Sequence, residues 1–248
     1  MKTRNFIRLI SFVSIISFCQ VIGAAEITGE ELWEKVITYH DPGSNWDSFD
    51  GRVRLVTTNS RGRLYSETIS IDADRDFYQT EKDNATGLVA GVNDGTAFSK
   101  FTDAPKNKQQ GDRQLRQSRS NAPMMRQHHS GHLGMPMQMK LAGLKAQKEV
   151  KLAQFQGKAC YALELTGGPA EGPFSYWRGH WTLYADPDTF AIIGGRHQKP
   201  DPESNLPDLY FVCHGVFEVD GIKIQSTKSF FRSEDDSYVF TDVYGSAR

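Results

Sequence analysis

Apolar and polar positions change period three times along the chain. Leu32, Trp33, Val36, Ile37 and His40 fall at helical spacing. Thr28-Gly-Glu-Glu31 ahead of them is a capping box, with Ile27 and Leu32 placed as a hydrophobic staple. This predicts one amphipathic helix to about Tyr39, stopped by Asp41-Pro42-Gly43. From Phe49 the period becomes two. Val53 to Thr58 and Leu64 to Ile71 read as strands around Asn59-Ser-Arg-Gly62, and Phe77-Tyr78 falls in another. Leu88 to Val92 and Thr96 to Phe101 flank Asn93-Asp94-Gly95, a strong hairpin signal. Residues 103–148 then break the alternation. They predict a helix from about Asp112 to Ser120, a second near Met139 to Gln147, and an irregular middle set by Gly131, Gly134 and Pro136. Alternation resumes in Glu149 to Phe155, Ala159 to Thr166, Leu209 to Val219, Ile222 to Phe231 and Tyr238 to Val243.

The densest apolar stretch is Trp181 to His197. Two β-prone runs flank Asp186-Pro187-Asp188-Thr189, whose Asp and Pro favour chain reversal. Closing that turn opposes Ala185 to Phe190, Leu183 to Ile192 and Trp181 to Gly194. One face then carries Trp181, Leu183, Phe190 and Ile192, and the other Thr182, Tyr184, Ala191 and Ile193. A hairpin apolar on both faces needs cover on both, or it borders a cavity. The order of elements predicts a mainly β, α+β fold: a strongly curved antiparallel sheet or half-open barrel, an N-terminal helix, and a lid insert at 103–148.

Composition adds an address. Lys2, Arg4 and Arg8 precede the apolar run Leu9 to Phe18, and Ile22-Gly23-Ala24-Ala25 offers small residues for cleavage. This reads as a secretory signal peptide over residues 1–25 and a single domain over 26–248, exported to the periplasm. Phe18 ahead of Cys19 is too bulky for a lipidation site. Removal of the three leader cations takes the formal charge from −1 to −4, a poor balance for nucleic-acid binding. Cys160 and Cys213 remain; they form a disulfide only if their strands are neighbours, and otherwise stay as buried thiols.

The insert holds the candidate chemistry. Five of the six methionines (Met124, Met125, Met135, Met137 and Met139) and three of the seven histidines (His128, His129 and His132) lie there. Thioether and imidazole suit copper, so a copper-handling protein using residues 124–139 is the alternative reading. The same methionines suit an adaptable apolar lid. Arg113, Arg116 and Arg119 share one helical flank, either solvated or facing anionic headgroups. His180, His197 and His214 are regularly spaced, but the expected register sets Arg178 against His197 and keeps His214 away, which disfavours a zinc site. Gly-x-Ser-x-Gly, His-Glu-x-x-His and phosphate-loop motifs are missing, and no enzyme activity, cofactor or metal is expected. Asn84-Ala-Thr86 is a formal glycosylation sequon.

The leader, the helix at Thr28 to Tyr39, Leu183-Tyr-Ala-Asp-Pro-Asp-Thr189 and Val219-Asp-Gly-Ile-Lys-Ile224 together resemble the LolA-like superfamily of periplasmic lipoprotein carriers. Gln225 stands where members often have proline. The resemblance implies a half-open barrel whose apolar cavity is lidded by helices and binds a lipid or lipoprotein acyl chain, with an envelope membrane or membrane-bound partner. It transfers no catalytic residue. On the face pattern above, the residues expected at the ligand are Trp181, Leu183, Phe190 and Ile192 from the hairpin, Trp33 from the N-terminal helix, and Leu115, Met135 and Met137 from the insert.

Overall fold

The computed structural model describes residues 27–84, 86–172, 174–198 and 208–247. The expected leader at 1–25 lies outside them. Thirteen antiparallel strands form one sheet in the order β5-β4-β3-β2-β1-β13-β12-β11-β10-β9-β8-β6, with β7 also on β8. The strands are β1 (Asp50–Asn59), β2 (Leu64–Asp72), β3 (Phe77–Lys82), β4 (Leu88–Asn93), β5 (Thr96–Phe101), β6 (Lys145–Ala146), β7 (Lys151–Phe155), β8 (Lys158–Gly167), β9 (Gly179–Ala185), β10 (Ile192–Gln198), β11 (Leu209–Val219), β12 (Ile222–Arg232) and β13 (Tyr238–Ser246). The sheet does not close, since β5 ends it on one side and β6 with β7 on the other. Among the described residues three α-helices accompany it: α1 (Gly29–His40), α2 (Lys108–Leu133) and α3 (Met137–Leu141).

Helix α1 forms as its sequence dictates. The Thr28 side chain accepts from the Glu31 amide, and the Glu31 carboxylate accepts from the Thr28 amide at 2.9 Å. Its apolar stripe, Leu32, Trp33 and Val36, is buried in a cluster with Leu163, Leu165, Leu183 and Phe211. His40 anchors its end. Nδ1 donates to the Lys223 carbonyl at 2.7 Å, and Nε2 accepts from the Ile192 amide at 3.2 Å. The Lys140 ammonium of α3 reaches both oxygens of Glu34, bracing α3 on α1.

The insert departs from expectation. Helix α2 runs unbroken for 26 residues through Pro123 and Gly131, well past the expected stop at Ser120. Tertiary packing overrides local propensity here. Gly111 lets the helix approach Pro105 and Phe101, where a Cβ would meet the Pro105 ring at 2.5 Å. The Ser99 hydroxyl donates to the Leu115 carbonyl at 2.8 Å, fixing the helix on β5. Gly134 ends it where a Cβ would meet the Trp46 ring at 2.1 Å. The expected second helix at Met139 to Gln147 is instead the shorter α3, followed by β6.

The central hairpin also closes differently. Ala185 pairs with Ile192, Leu183 with Gly195 and Trp181 with His197, with a bulge between Ile192 and Gly194. The connection is longer than the four-residue turn expected. The Asp186 carboxylate accepts from the amides of Asp188 and Thr189 and from the Thr189 hydroxyl. The Phe190 amide donates to the Asp186 carbonyl, and Phe190 adopts φ +66°. This turn shifts the register by two residues at Ala185, and the bulge shifts it once more. The outer face has its own cover, because Phe155 of β7 stacks on Tyr184 at 4.1 Å. Gly194 makes room for that ring.

Candidate functional site

Register places a band of ionisable side chains across the middle of the sheet. Thr57, Asp242, Lys228 and Cys213 are successive partners across β1, β13, β12 and β11. Beside them, Leu55 pairs with both Tyr244 and Glu67, and Glu67 with Lys82. The buried members of this band face the helical side. Lys228 is 1% exposed, and its ammonium donates to the backbone carbonyl of His132 in the last turn of α2. The Thr57 hydroxyl donates to Asp242 at 2.6 Å. The Tyr78 hydroxyl lies 2.7 Å from His129 Nδ1, and His129 Nε2 lies 3.5 Å from Glu67.

Burial sets the charges of this band. It pushes His129 down to about 3, helped by His128 beside it, so the imidazole is neutral. Burial likewise lowers His128 and His132. It raises the carboxyls of Glu67 and Asp242 and lowers Lys228. The 3.5 Å approach of His129 to Glu67 is therefore a long polar contact between groups driven towards neutrality, and not an ion pair.

Above this band, between α2 and the ends of β1, β2 and β13, lies a cavity of about 740 Å³. Leu55, Met125, Val239 and Phe240 supply apolar wall, and His128, His129, Glu67 and Asp242 line it too. The β1–β2 turn also borders it. Here the Asn59 side chain accepts from the amides of Arg61 and Arg63, and Gly62 between them adopts φ +69°. Leu64 and Tyr65 follow at 67% and 54% exposure. Volume and mixed lining match a small-molecule pocket.

The sequence-expected ligand residues lie elsewhere. Trp181, Leu183, Ile192, Trp33 and Met135 are at most 4% exposed within one packed cluster, with half-buried Phe190 against it. Met137 is buried in a second cluster with Trp46 and Leu133. Leu115 is half-buried on α2, over β5. None of the eight lines the 740 Å³ cavity. The hairpin face expected to border a ligand is instead filled by Trp33, Met135, Met139 and Trp177.

The insert does contribute to the cavity, through Met125, His128 and His129. Its other methionines do not converge. Met135 and Met139 join the first cluster, Met137 the second, and Met124 is exposed. Among the described residues, no group of three or more His, Cys, Asp or Glu is placed to hold a metal ion. His180 faces Glu164, His197 stacks on Trp181 at 4.3 Å, and His214 is exposed on β11. Cys160 and Cys213 are buried free thiols on β8 and β11, with β9 and β10 between them.

Sequence reasoning missed Glu67, Lys228, Asp242, Arg61 and Arg63. For Lys228 a signal existed, because it falls in phase with Ile222, Ile224 and Phe230 on the buried face of β12. A lysine inside an apolar alternation marks a buried, functional or structural cation.

Among the described residues no helix is long and apolar enough to cross a membrane. In overall chain course the protein is similar to a LolA superfamily protein from Nitrosomonas europaea. Identity is 13% and TM-score 0.48, covering 88% of this chain and 92% of that one. It is also similar to a putative outer membrane lipoprotein-sorting protein domain from Vibrio parahaemolyticus, at 9% identity and TM-score 0.44, covering 89% and 92%. A DUF1329 family protein from Desulfovibrio piger follows at 8% identity and TM-score 0.42, covering 87% and 90%. Comparison with curated proteins gives no match. A family model matches residues 10–198, and the chain belongs to that family, the family of unknown function DUF6503.

Proposed function

We propose that this protein is a non-enzymatic carrier or sensor that binds the acyl chain of a lipid or lipoprotein in the cavity beneath α2, in the periplasm. The observation that carries the reading is that cavity: about 740 Å³, walled in part by Leu55, Met125, Val239 and Phe240, and covered by one helix. Each methylene buried there contributes about 0.8 kcal/mol, so a single chain binds usefully without any reacting group. Below Leu115, α2 is held on the sheet by Arg126 to Asp76, His129 to Tyr78 and Lys228 to the His132 carbonyl, and by Leu133 packed in the apolar cluster with Trp46 and Phe49.

The test is native mass spectrometry of the protein purified from its own envelope, with titration of a fluorescent fatty acid into delipidated protein. A co-purifying lipid and saturable probe binding support the carrier. A protein that carries no lipid and binds no probe refutes it.

A further inference from the structure

The mouth of the cavity carries more positive charge than its interior. Three cations and three anions line it: Arg61, Arg63 and Lys82 against Glu67, Asp83 and Asp242. The anions are accounted for. Asp83 accepts from Arg54 at 2.7 Å and from the Ser66 hydroxyl at 2.6 Å. Asp242 accepts from Thr57 and lies buried beside Lys228, and Glu67 is half-buried beside His129. Lys82 is the register partner of Glu67. Among the described residues, Arg61 and Arg63 form no ion pair.

Their placement is built rather than incidental. The Asn59 side-chain oxygen Oδ1 accepts from the backbone amides of both arginines, at 3.0 and 3.1 Å, and Gly62 at φ +69° reverses the chain between them. Both guanidinium stems therefore rise from one fixed turn on the cavity's border. Exposed Leu64 and Tyr65 follow directly and extend the apolar wall outward. From within to without, the lining passes from buried Leu55 through half-buried Met125 and Phe240 to exposed Leu64 and Tyr65, with two free guanidinium groups at the border. That sequence of surfaces matches an amphiphile with one apolar tail and an anionic head.

We propose that Arg61 and Arg63 form a headgroup site at the cavity mouth, which selects single-chain amphiphiles ending in a carboxylate or phosphate over neutral ones. The inference rests on the carrier reading above and adds the class of ligand. Guanidinium forks pair with such oxyanions in bidentate geometry, and the gain falls with ionic strength because the site is open to solvent.

The test is displacement of 11-(dansylamino)undecanoic acid from the full mature chain by laurate, dodecyl phosphate and dodecanol, which share one tail length. Laurate and dodecyl phosphate should displace the probe at about tenfold lower concentration than dodecanol, with the advantage shrinking in high salt. In Arg61→Ala/Arg63→Ala the three should become equivalent to within about threefold, while Arg61→Lys/Arg63→Lys keeps part of the preference. Inorganic phosphate should not displace the probe. Equal displacement by all three in the parent, or a preference unchanged in the alanine variant, overturns the headgroup site and leaves the carrier standing. Displacement by inorganic phosphate overturns it also, since the anion site then needs no tail. Failure of every amphiphile, and of the probe itself, removes the carrier reading with it.

Discussion

The Tyr78 hydroxyl and His129 Nδ1 lie 2.7 Å apart, both buried, and they join the middle of the sheet to the helix that covers it. With the imidazole neutral, a proton on Nε2 faces Glu67 and leaves Nδ1 to accept from the hydroxyl. Tyr78→Phe removes the donor and strands a buried acceptor. It should lower stability by about 1–3 kcal/mol, read as a lower urea midpoint with an unchanged slope. An unchanged midpoint means that this contact does not hold α2 down.

Stability should fall on acidification below about pH 6.5. His129 titrates at about 3 in the folded protein and His40 at about 4, both lowered chiefly by burial from near 6.5. A depressed imidazole means that the unfolded chain binds more protons between those values. Its contribution is complete above about 6.5 and is lost as pH drops towards 3–4. His128 and His132 shift in the same direction. Glu67 and Asp242 are raised and act oppositely, being relieved as they protonate. With His197 lowered by burial as well, five imidazoles against two carboxyls predict a lower urea midpoint at pH 5 than at pH 7.5. A midpoint that rises over that interval contradicts the burial of neutral histidines.

The core and the cavity should answer differently to an introduced charge. Leu183 is fully buried in the cluster beneath α1, so Leu183→Asp should cost more than about 4 kcal/mol and leave little folded protein. Met125 is half-buried on the cavity side of α2, so Met125→Glu should fold while weakening the fatty-acid probe by about tenfold or more. Circular dichroism and probe titration separate the two effects. A folded Leu183→Asp that selectively loses binding restores the hairpin as the ligand wall.

These two residues show how far the sequence was legible. Period and punctuation marked α1, the strands other than β6 and the hairpin turn at Asn93-Asp94-Gly95 to within a few residues, because those signals are local. The face shared by Trp181, Leu183 and Ile192 was legible for the same reason. What lies over that face was not, because cover is set by residues far away in sequence: Trp33, Met139 and Trp177. The length of α2 was hidden for a similar reason, since Pro123 and Gly131 argue locally against a helix that β4 and β5 hold in place. The polar band is assembled from six strands and α2, and only the in-phase Lys228 announced it.

The thiols should be inert in the native state. Burial pushes Cys213 up to about 12 and raises Cys160 as well, and the sulfurs sit on strands separated by two others. Ellman's reagent at pH 8 should find no reactive thiol in the folded chain from Glu26 onward, and two in denaturant. Fewer than two after unfolding, without reductant, would reveal a disulfide that the strand order forbids.

The central claim is that an acyl tail occupies the space between α2 and the sheet. The most direct measurement is photo-crosslinking with a fatty acid that carries a diazirine near the end of its tail, mapped by peptide mass spectrometry. The account predicts adducts on residues that line the cavity, Leu55, Met125 and Phe240 foremost, competed away by unlabelled laurate. Competable adducts confined to Trp33, Trp181, Leu183 or Ile192 would place the ligand in the packed cluster beneath α1, and would contradict it.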